Sequence, residues 1–183
     1  MKSRRNFIKR SAVIGAGISL APNLVFPFNP KPATDRLKIA FIGVGLRGTN
    51  HLNNAIHRKD TEITAICDID PKRIDIALEL LKKDGRKKPM VFGKDENDYL
   101  NLLDAPDVDA VIIATPWLWH TKMAVAAMKA GVYAGLEVSA SQTIEECWDL
   151  VNTHEATGTH MMFLENVNFR RDVMAVLHMV KQN

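Results

Sequence analysis

Apolar positions along the chain fall into two rhythms, short unbroken runs and longer stretches with apolar residues three and four apart, and the two alternate. Leu37 to Ile42 is an apolar run ended by glycine and reads as a buried parallel strand. Helical spacing follows from about Leu46 to His57. Glu62 to Cys67 is the second strand, and Pro71 opens a helix at the one position where its missing N–H costs nothing. Met90 to Phe92 is a weak third strand, followed by an acidic turn from Asp95 to Asp98 and a short helix. Val108 to Ala114 is the most hydrophobic strand and is expected at the centre of the sheet. Thr121 to Ala130 is helical with Gly131 as its stop, and Val132 to Leu136 is the fifth strand. Thr143 to Thr157 is helical with Gly158 as its stop, and Thr159 to Leu164 is the sixth strand. Strands alternating with helices of this length predict an α/β fold, a doubly wound parallel sheet with right-handed crossovers.

The first thirty residues break this pattern. Ser3-Arg4-Arg5-Asn6-Phe7-Ile8-Lys9 precedes a modest apolar stretch from Ala12 to Leu20, and four prolines at 22, 27, 30 and 32 follow. The basic start resembles a twin-arginine export signal, and the apolar stretch is shorter than the ~18 residues needed to span a bilayer. The prolines make an extended linker, because each fixes its own φ and turns its predecessor away from helix. The expected organisation is therefore a signal and linker over residues 1–33, a folded domain over 36–166, and the start of a second domain over 167–183. The expected location is periplasmic.

Ligands of such sheets bind beyond the carboxyl ends of the strands, so the chemistry is sought there. After the first strand comes Gly43-Val44-Gly45-Leu46-Arg47-Gly48, a G-x-G-x-x-G opening a helix, and Asp68 closes the second strand. The glycine spacing is weak evidence alone; between a strand and a helix, with an acid at the next strand end, it is a dinucleotide fingerprint. Gly43 permits the tight turn, Gly45 lets the backbone approach a pyrophosphate, and Gly48 allows close packing of helix on strand. The amides of Leu46 and Arg47 would meet phosphate at the positive end of the helix dipole. Asp68 would accept from both ribose hydroxyls and repel a 2′-phosphate, which favours NAD over NADP. After the fourth strand comes Thr115-Pro116-Trp117-Leu118-Trp119-His120, read as an exposed loop that a ligand covers; packing of the tryptophans on a neighbouring subunit, and a helix-capping role for His120, are the alternatives. Glu137-Val138-Ser139 follows the fifth strand, where a carboxylate can orient ribose or substrate hydroxyls or simply form a surface ion pair. Glu165-Asn166 follows the sixth, with an amide able to hold nicotinamide or a sugar hydroxyl.

Charge narrows the partners. Of the 24 Lys and Arg, five (Lys2, Arg4, Arg5, Lys9, Arg10) lie in the first thirty residues with no acid beside them, leaving 19 bases against 21 acids. A slightly acidic domain lacks the electrostatic footprint of a nucleic-acid binder. The cluster Lys82, Lys83, Arg86, Lys87 and Lys88 is read as a solvated helix end and loop. Cys67 and Cys147 have no metal or redox spacing and are expected to be small buried apolar residues.

From about Arg36 onward the chain resembles the Gfo/Idh/MocA family of sugar-acting oxidoreductases. Within it, four stretches look most like glycoside hydrolase family 109: Thr115 to His120, Met123-Ala124-Val125-Ala126-Ala127-Met128-Lys129-Ala130-Gly131, Thr143-Ile144-Glu145-Glu146-Cys147-Trp148, and Leu164-Glu165-Asn166. The resemblance implies an exported enzyme that removes terminal α-N-acetylgalactosamine while keeping NAD bound, with a glycoside as partner and with cofactor contacts at Leu46, Arg47, Asp68, Trp117, Leu118, Trp119, His120, Glu137, Val138 and Asn166. His120 is the candidate catalytic residue. The implied chemistry is transient oxidation of the sugar at C3, elimination of the glycosidic oxygen, addition of water and return of the hydride, an exception to the two-carboxylate rule of glycosidases.

Departures from the family pattern also inform the reading. The wider family carries Glu-Lys-Pro after the fifth strand, with the lysine in proton transfer; here Val138 stands in the lysine's place and cannot move a proton. Ser139 replaces the proline, and Asn166 to Arg171 lacks the Tyr-Gly of the glycosidase branch. The family also continues into a sheet-rich substrate domain, expected to be missing or truncated here, so the chain is expected to bind NAD without hydrolysing glycosides alone. Two other readings stay open, an exported sugar oxidoreductase and a non-catalytic NAD-binding fragment, and a homo-oligomer is compatible with each.

Overall fold

The computed structural model describes residues 36–182; the stretch expected to be an export signal and proline linker lies outside the described residues. Six strands form one sheet, β1 (Leu37–Ile42), β2 (Thr61–Cys67), β3 (Met90–Phe92), β4 (Ala110–Ile113), β5 (Tyr133–Leu136) and β6 (Met161–Phe163), in the order β3-β2-β1-β4-β5-β6. Every neighbouring pair is parallel. Each strand begins at the far edge and ends at the same lip, and the order reverses between β1 and β4, where a crevice opens.

The helices are α1 (Leu46–Ile56), α2 (Pro71–Lys83), α3 (Tyr99–Leu103), α4 (Trp117–Lys129), α5 (Ile144–Thr157) and α6 (Arg171–Gln182), with a 3-10 turn at Val167–Phe169. Strand alternation divides the core in two. Phe41, Ile63 and Ile66 pack with Leu52, Ile56, Ala77 and Leu81 of α1 and α2. On the other face Ala40, Ile42, Val111, Ile113 and Leu136 pack with Leu102, Met123, Ala127, Met128 and Leu150 of α3, α4 and α5.

Local chemistry explains the ends. Asp70 caps α2 by accepting from the Lys72 N–H, with Pro71 at the first helical position. Thr143 and Glu146 form a reciprocal capping box on α5, and Gly158 closes it in the left-handed conformation. Arg86, expected in solvent, instead donates to the carbonyls of Ile56, Arg58 and Thr61, tying the end of α2 to the start of β2. Its neighbours Lys87 and Lys88 are exposed as expected.

Three further departures stand out. Helix α4 begins at Trp117, not at Thr121: Pro116 has φ −60° and ψ 146°, an extended entry from which the helix starts at the next residue. Cys67 is buried but Cys147 is exposed, its sulfur 3.0 Å from the Ser141 hydroxyl near the head of α5. The segment after residue 170, to which no element was assigned, forms α6, none of whose residues is buried. Its apolar positions Val173, Val176, Leu177 and Val180 repeat three and four apart, the mark of a helix with one apolar face. No helix among the described residues is long and apolar enough to cross a membrane.

Helix α1 rests directly on the turn that follows β1. A Cβ added at Gly48 would lie 1.9 Å from the Gly43 carbonyl oxygen, a backbone atom that moves only with the whole turn. Gly48→Ala is therefore expected to destabilise the domain by more than about 2 kcal/mol, read as a lower urea midpoint at unchanged slope; an unchanged midpoint would contradict this packing.

Candidate functional site

At the head of α1 the backbone is arranged for an anion. Gly43 has φ +84°, and a Cβ there would meet the Ala114 carbonyl oxygen at 2.6 Å, so this turn admits glycine alone without strain. Around Gly45 a Cβ would meet nothing within 4 Å, which leaves the backbone approachable from the lip. Leu46 and Arg47 occupy the first turn, where amide N–H groups lack helical partners.

Asp68 stands beside this turn. Its Oδ2 accepts from the Val44 N–H at 2.8 Å and its Oδ1 from the Asp70 N–H at 2.9 Å. One bond on each oxygen fixes the carboxylate and leaves each a further lone pair for a ribose hydroxyl. Gly43, Gly45 and Asp68 line one cavity of about 280 Å³ together with Cys67, Arg73, Asp95, Glu96, Tyr99 and Trp119. This size suits the adenosine end of a dinucleotide. Burial pushes the Cys67 thiol up to about 12, so it lines the wall as a neutral group.

Farther along the lip the residues after β4 divide by helical geometry. Trp117 and Leu118 are exposed at the head of α4. Trp119 is half-buried, edge-on to Tyr99 at 6.4 Å, with the Lys122 ammonium 4.6 Å from its ring centre. His120 is 1% exposed, its Nδ1 2.6 Å from the Ser139 carbonyl oxygen and its Nε2 2.8 Å from that of Thr115. The structure thus places His120 behind the lip as a bolt between the turns after β4 and β5.

Glu137 ends β5 and is 5% exposed. Its Oε1 accepts from Arg47 Nε at 2.6 Å and from His51 Nε2 at 2.6 Å, and its Oε2 from the Val138 N–H at 3.2 Å. Burial, the largest single influence, raises its carboxyl; the bonds from His51, Arg47 and Val138 and the Arg47 charge together outweigh it and hold the group below the ordinary value. The surface ion pair considered from sequence is thus half-buried, with Glu137 enclosed and Arg47 exposed, and Arg47 serves the strand end as well as the cradle. Asn166 lies exposed at the entry to the 3-10 turn after β6, on the same lip. His51, Arg73, Asp95 and Glu96 were missed. His51 had a signal, since it lies four residues after Arg47 on one helix face; Asp95 and Glu96 follow β3 and so lie at the same lip.

A sequence model of the oxidoreductase family with the NAD-binding Rossmann fold, Gfo/Idh/MocA, matches residues 37–164. The chain belongs to the Gfo/Idh/MocA family. Its described domain is thus an NAD-binding Rossmann domain, and the glycine turn and Asp68 cavity fit that cofactor. Among curated relatives, a glycosyl hydrolase family 109 protein of Parabacteroides distasonis is 45% identical, over 98% of this chain and 41% of the relative. An alpha-N-acetylgalactosaminidase of Tannerella forsythia is 43% identical, over 98% of this chain and 42% of the relative. The chain therefore spans about two fifths of the length of these relatives.

Two solved structures share the fold. The scyllo-inositol dehydrogenase of Lactobacillus casei with bound NAD(H) and scyllo-inositol has TM-score 0.69 at 21% identity, covering 81% of this chain and 42% of that one. The WlbA dehydrogenase of Bordetella pertussis, in complex with NADH and UDP-GlcNAcA, has TM-score 0.68 at 20% identity, covering 80% and 42%.

The Glu137 cluster sets a pH dependence. A carboxyl held lower in the folded than in the unfolded chain contributes stability that is complete above the unfolded value, near 4.3, and lost as pH falls through the folded one. At pH 7 Glu137→Gln is expected to cost about 1–3 kcal/mol, with the gap closing in acid below about pH 4. Urea midpoints of both proteins across that range check this; an equal gap at every pH would contradict it.

Proposed function

We propose that this chain is the cofactor-holding part of an exported glycosidase that releases terminal α-N-acetylgalactosamine, keeping NAD bound throughout. The observation that carries this reading is the 43% identity to an alpha-N-acetylgalactosaminidase across 98% of the chain, joined to Val138 in the position where a dehydrogenase of the wider family needs a proton-carrying lysine. Bound NAD supplies a reversible hydride acceptor.

The chain's own residues hold that cofactor. Leu46 and Arg47 present amides to its pyrophosphate and Asp68 holds the adenosine ribose. Glu137, Val138 and Asn166 flank the nicotinamide side, and Trp117 and Leu118 offer an apolar lip to a sugar face or to a second subunit. Trp119 closes the wall of the adenosine cavity. His120 acts through the turns it joins, fixing Thr115 and Ser139 beside the reacting sugar.

Export by the twin-arginine route suits this chemistry. That route carries folded proteins, so a cofactor made in the cytoplasm can be loaded before transport to the periplasm. Arg4 and Arg5 are the residues on which this part of the reading rests.

The test is a chimera in which residues 36–182 replace the matching region of the Tannerella forsythia relative. It is expected to hydrolyse a chromogenic α-N-acetylgalactosaminide with no net NADH, whereas the isolated chain gives no turnover. Net NADH formation from free sugars would select a sugar oxidoreductase instead. A folded, NAD-loaded chimera without turnover would make the domain a binding module and overturn the reading.

A further inference from the structure

Two carboxylates, Asp68 and Glu137, stand at a lip that must accept a doubly charged pyrophosphate. Asp68 is fixed by backbone amides. Glu137 is fixed differently, by two side chains from the same helix whose head forms the phosphate cradle. Arg47 and His51 are four residues apart and so share a face of α1, and both reach the single oxygen Oε1. The link runs from α1 past β4 to the end of β5, and thereby ties the pyrophosphate half of the crevice to its nicotinamide half.

The two donors are not equivalent. The Arg47 side chain is 43% exposed and lies in the first turn, where it is also a phosphate ligand in waiting; only its Nε is committed to Glu137. An arriving pyrophosphate therefore competes with Glu137 for the same guanidinium. The His51 side chain is 21% exposed and lies one turn deeper, away from the helix head. Its Nε2 keeps Glu137 in place when Arg47 turns to phosphate. A buried carboxylate stripped of all donors would be costly, so the second donor is what lets the first be shared.

We propose that His51 is a positioning residue: it holds Glu137 at the end of β5 while Arg47 serves the pyrophosphate, and so sets the nicotinamide half of the cofactor site in register with the phosphate half. This rests on the reading that Glu137 flanks the nicotinamide riboside.

Titration calorimetry with NAD and with ADP, on chain unfolded to release retained cofactor and then refolded, separates the two. ADP carries the adenosine and both phosphates but no nicotinamide riboside. The native chain is expected to bind NAD more tightly than ADP. In His51→Ala, NAD affinity is expected to fall about tenfold while ADP affinity changes less than about twofold. His51→Gln, whose side-chain amide can donate to the same oxygen, is expected to recover NAD binding to within about threefold. Glu137→Ala should give the same selective loss, and the double variant no further loss. Thermal melting confirms that each variant is folded.

A His51→Ala protein that loses NAD and ADP equally, or loses neither, overturns the inference while leaving Glu137 at the nicotinamide side. A folded His51→Gln protein that fails to recover does the same. A native chain that binds NAD no better than ADP overturns the placement of Glu137 itself, and the inference with it.

Discussion

The site depends on one close approach, that of Gly48 to the Gly43 carbonyl. With 1.9 Å between that oxygen and where a Cβ would stand, α1 can lie on the first turn only if position 48 carries no side chain. That contact aims the head of α1 at the lip between β1 and β4. It also brings Val44 N–H onto Asp68 and sets Arg47 and His51 against Glu137. The Asp68–Val44 and Glu137–Arg47–His51 contacts thus follow from the seating of one helix on one turn, and the parallel sheet places the end of every other strand at the same edge.

Electrostatics divide the lip into two halves solved by different means. At the adenosine half, backbone amides hold Asp68, so its charge is met without any mobile cation and stays available to hydroxyls. At the far half, Glu137 is nearly buried and depends on side chains, which makes it responsive to what else those side chains bind. His120 complements this arrangement by packing between the turns after β4 and β5, one ring nitrogen against a carbonyl oxygen of each. The lip therefore holds one carboxylate through backbone groups and the other through side chains.

Much of the fold was legible because buried parallel strands read as unbroken apolar runs. Leu37–Ile42 and Met90–Phe92 were placed residue for residue, and the capped helices α2 and α5 announced themselves through Pro71, Thr143 and Gly158. The start of α4 was misread because a proline followed by two tryptophans looks like a loop; apolar aromatic residues hide the first turn of a helix that has no polar cap. Helix α6 carries a readable helical spacing at Val173, Val176, Leu177 and Val180, but residues 167–183 read only as the start of a second domain and so received no element. The glycine turn and Asp68 were legible as a linear motif with context. His51 and the Asp95–Glu96 pair were not, since their part in the site comes from helix spacing and from the loop after an edge strand, neither of which forms a motif. Arg86 reads as a solvated charge in the sequence, which shows its neighbours Lys87 and Lys88 but not the three carbonyls it reaches.

Membership of the Gfo/Idh/MocA family gives the site its cofactor, and the seating of α1 gives the site its shape. The two meet in one claim: this turn, this helix head and Asp68 together retain NAD. Mass spectrometry under non-denaturing conditions, on protein purified without added cofactor, tests it most directly. The account predicts a species heavier than the bare chain by one NAD, released on denaturation; a bare chain that also fails to take up added NAD would contradict it.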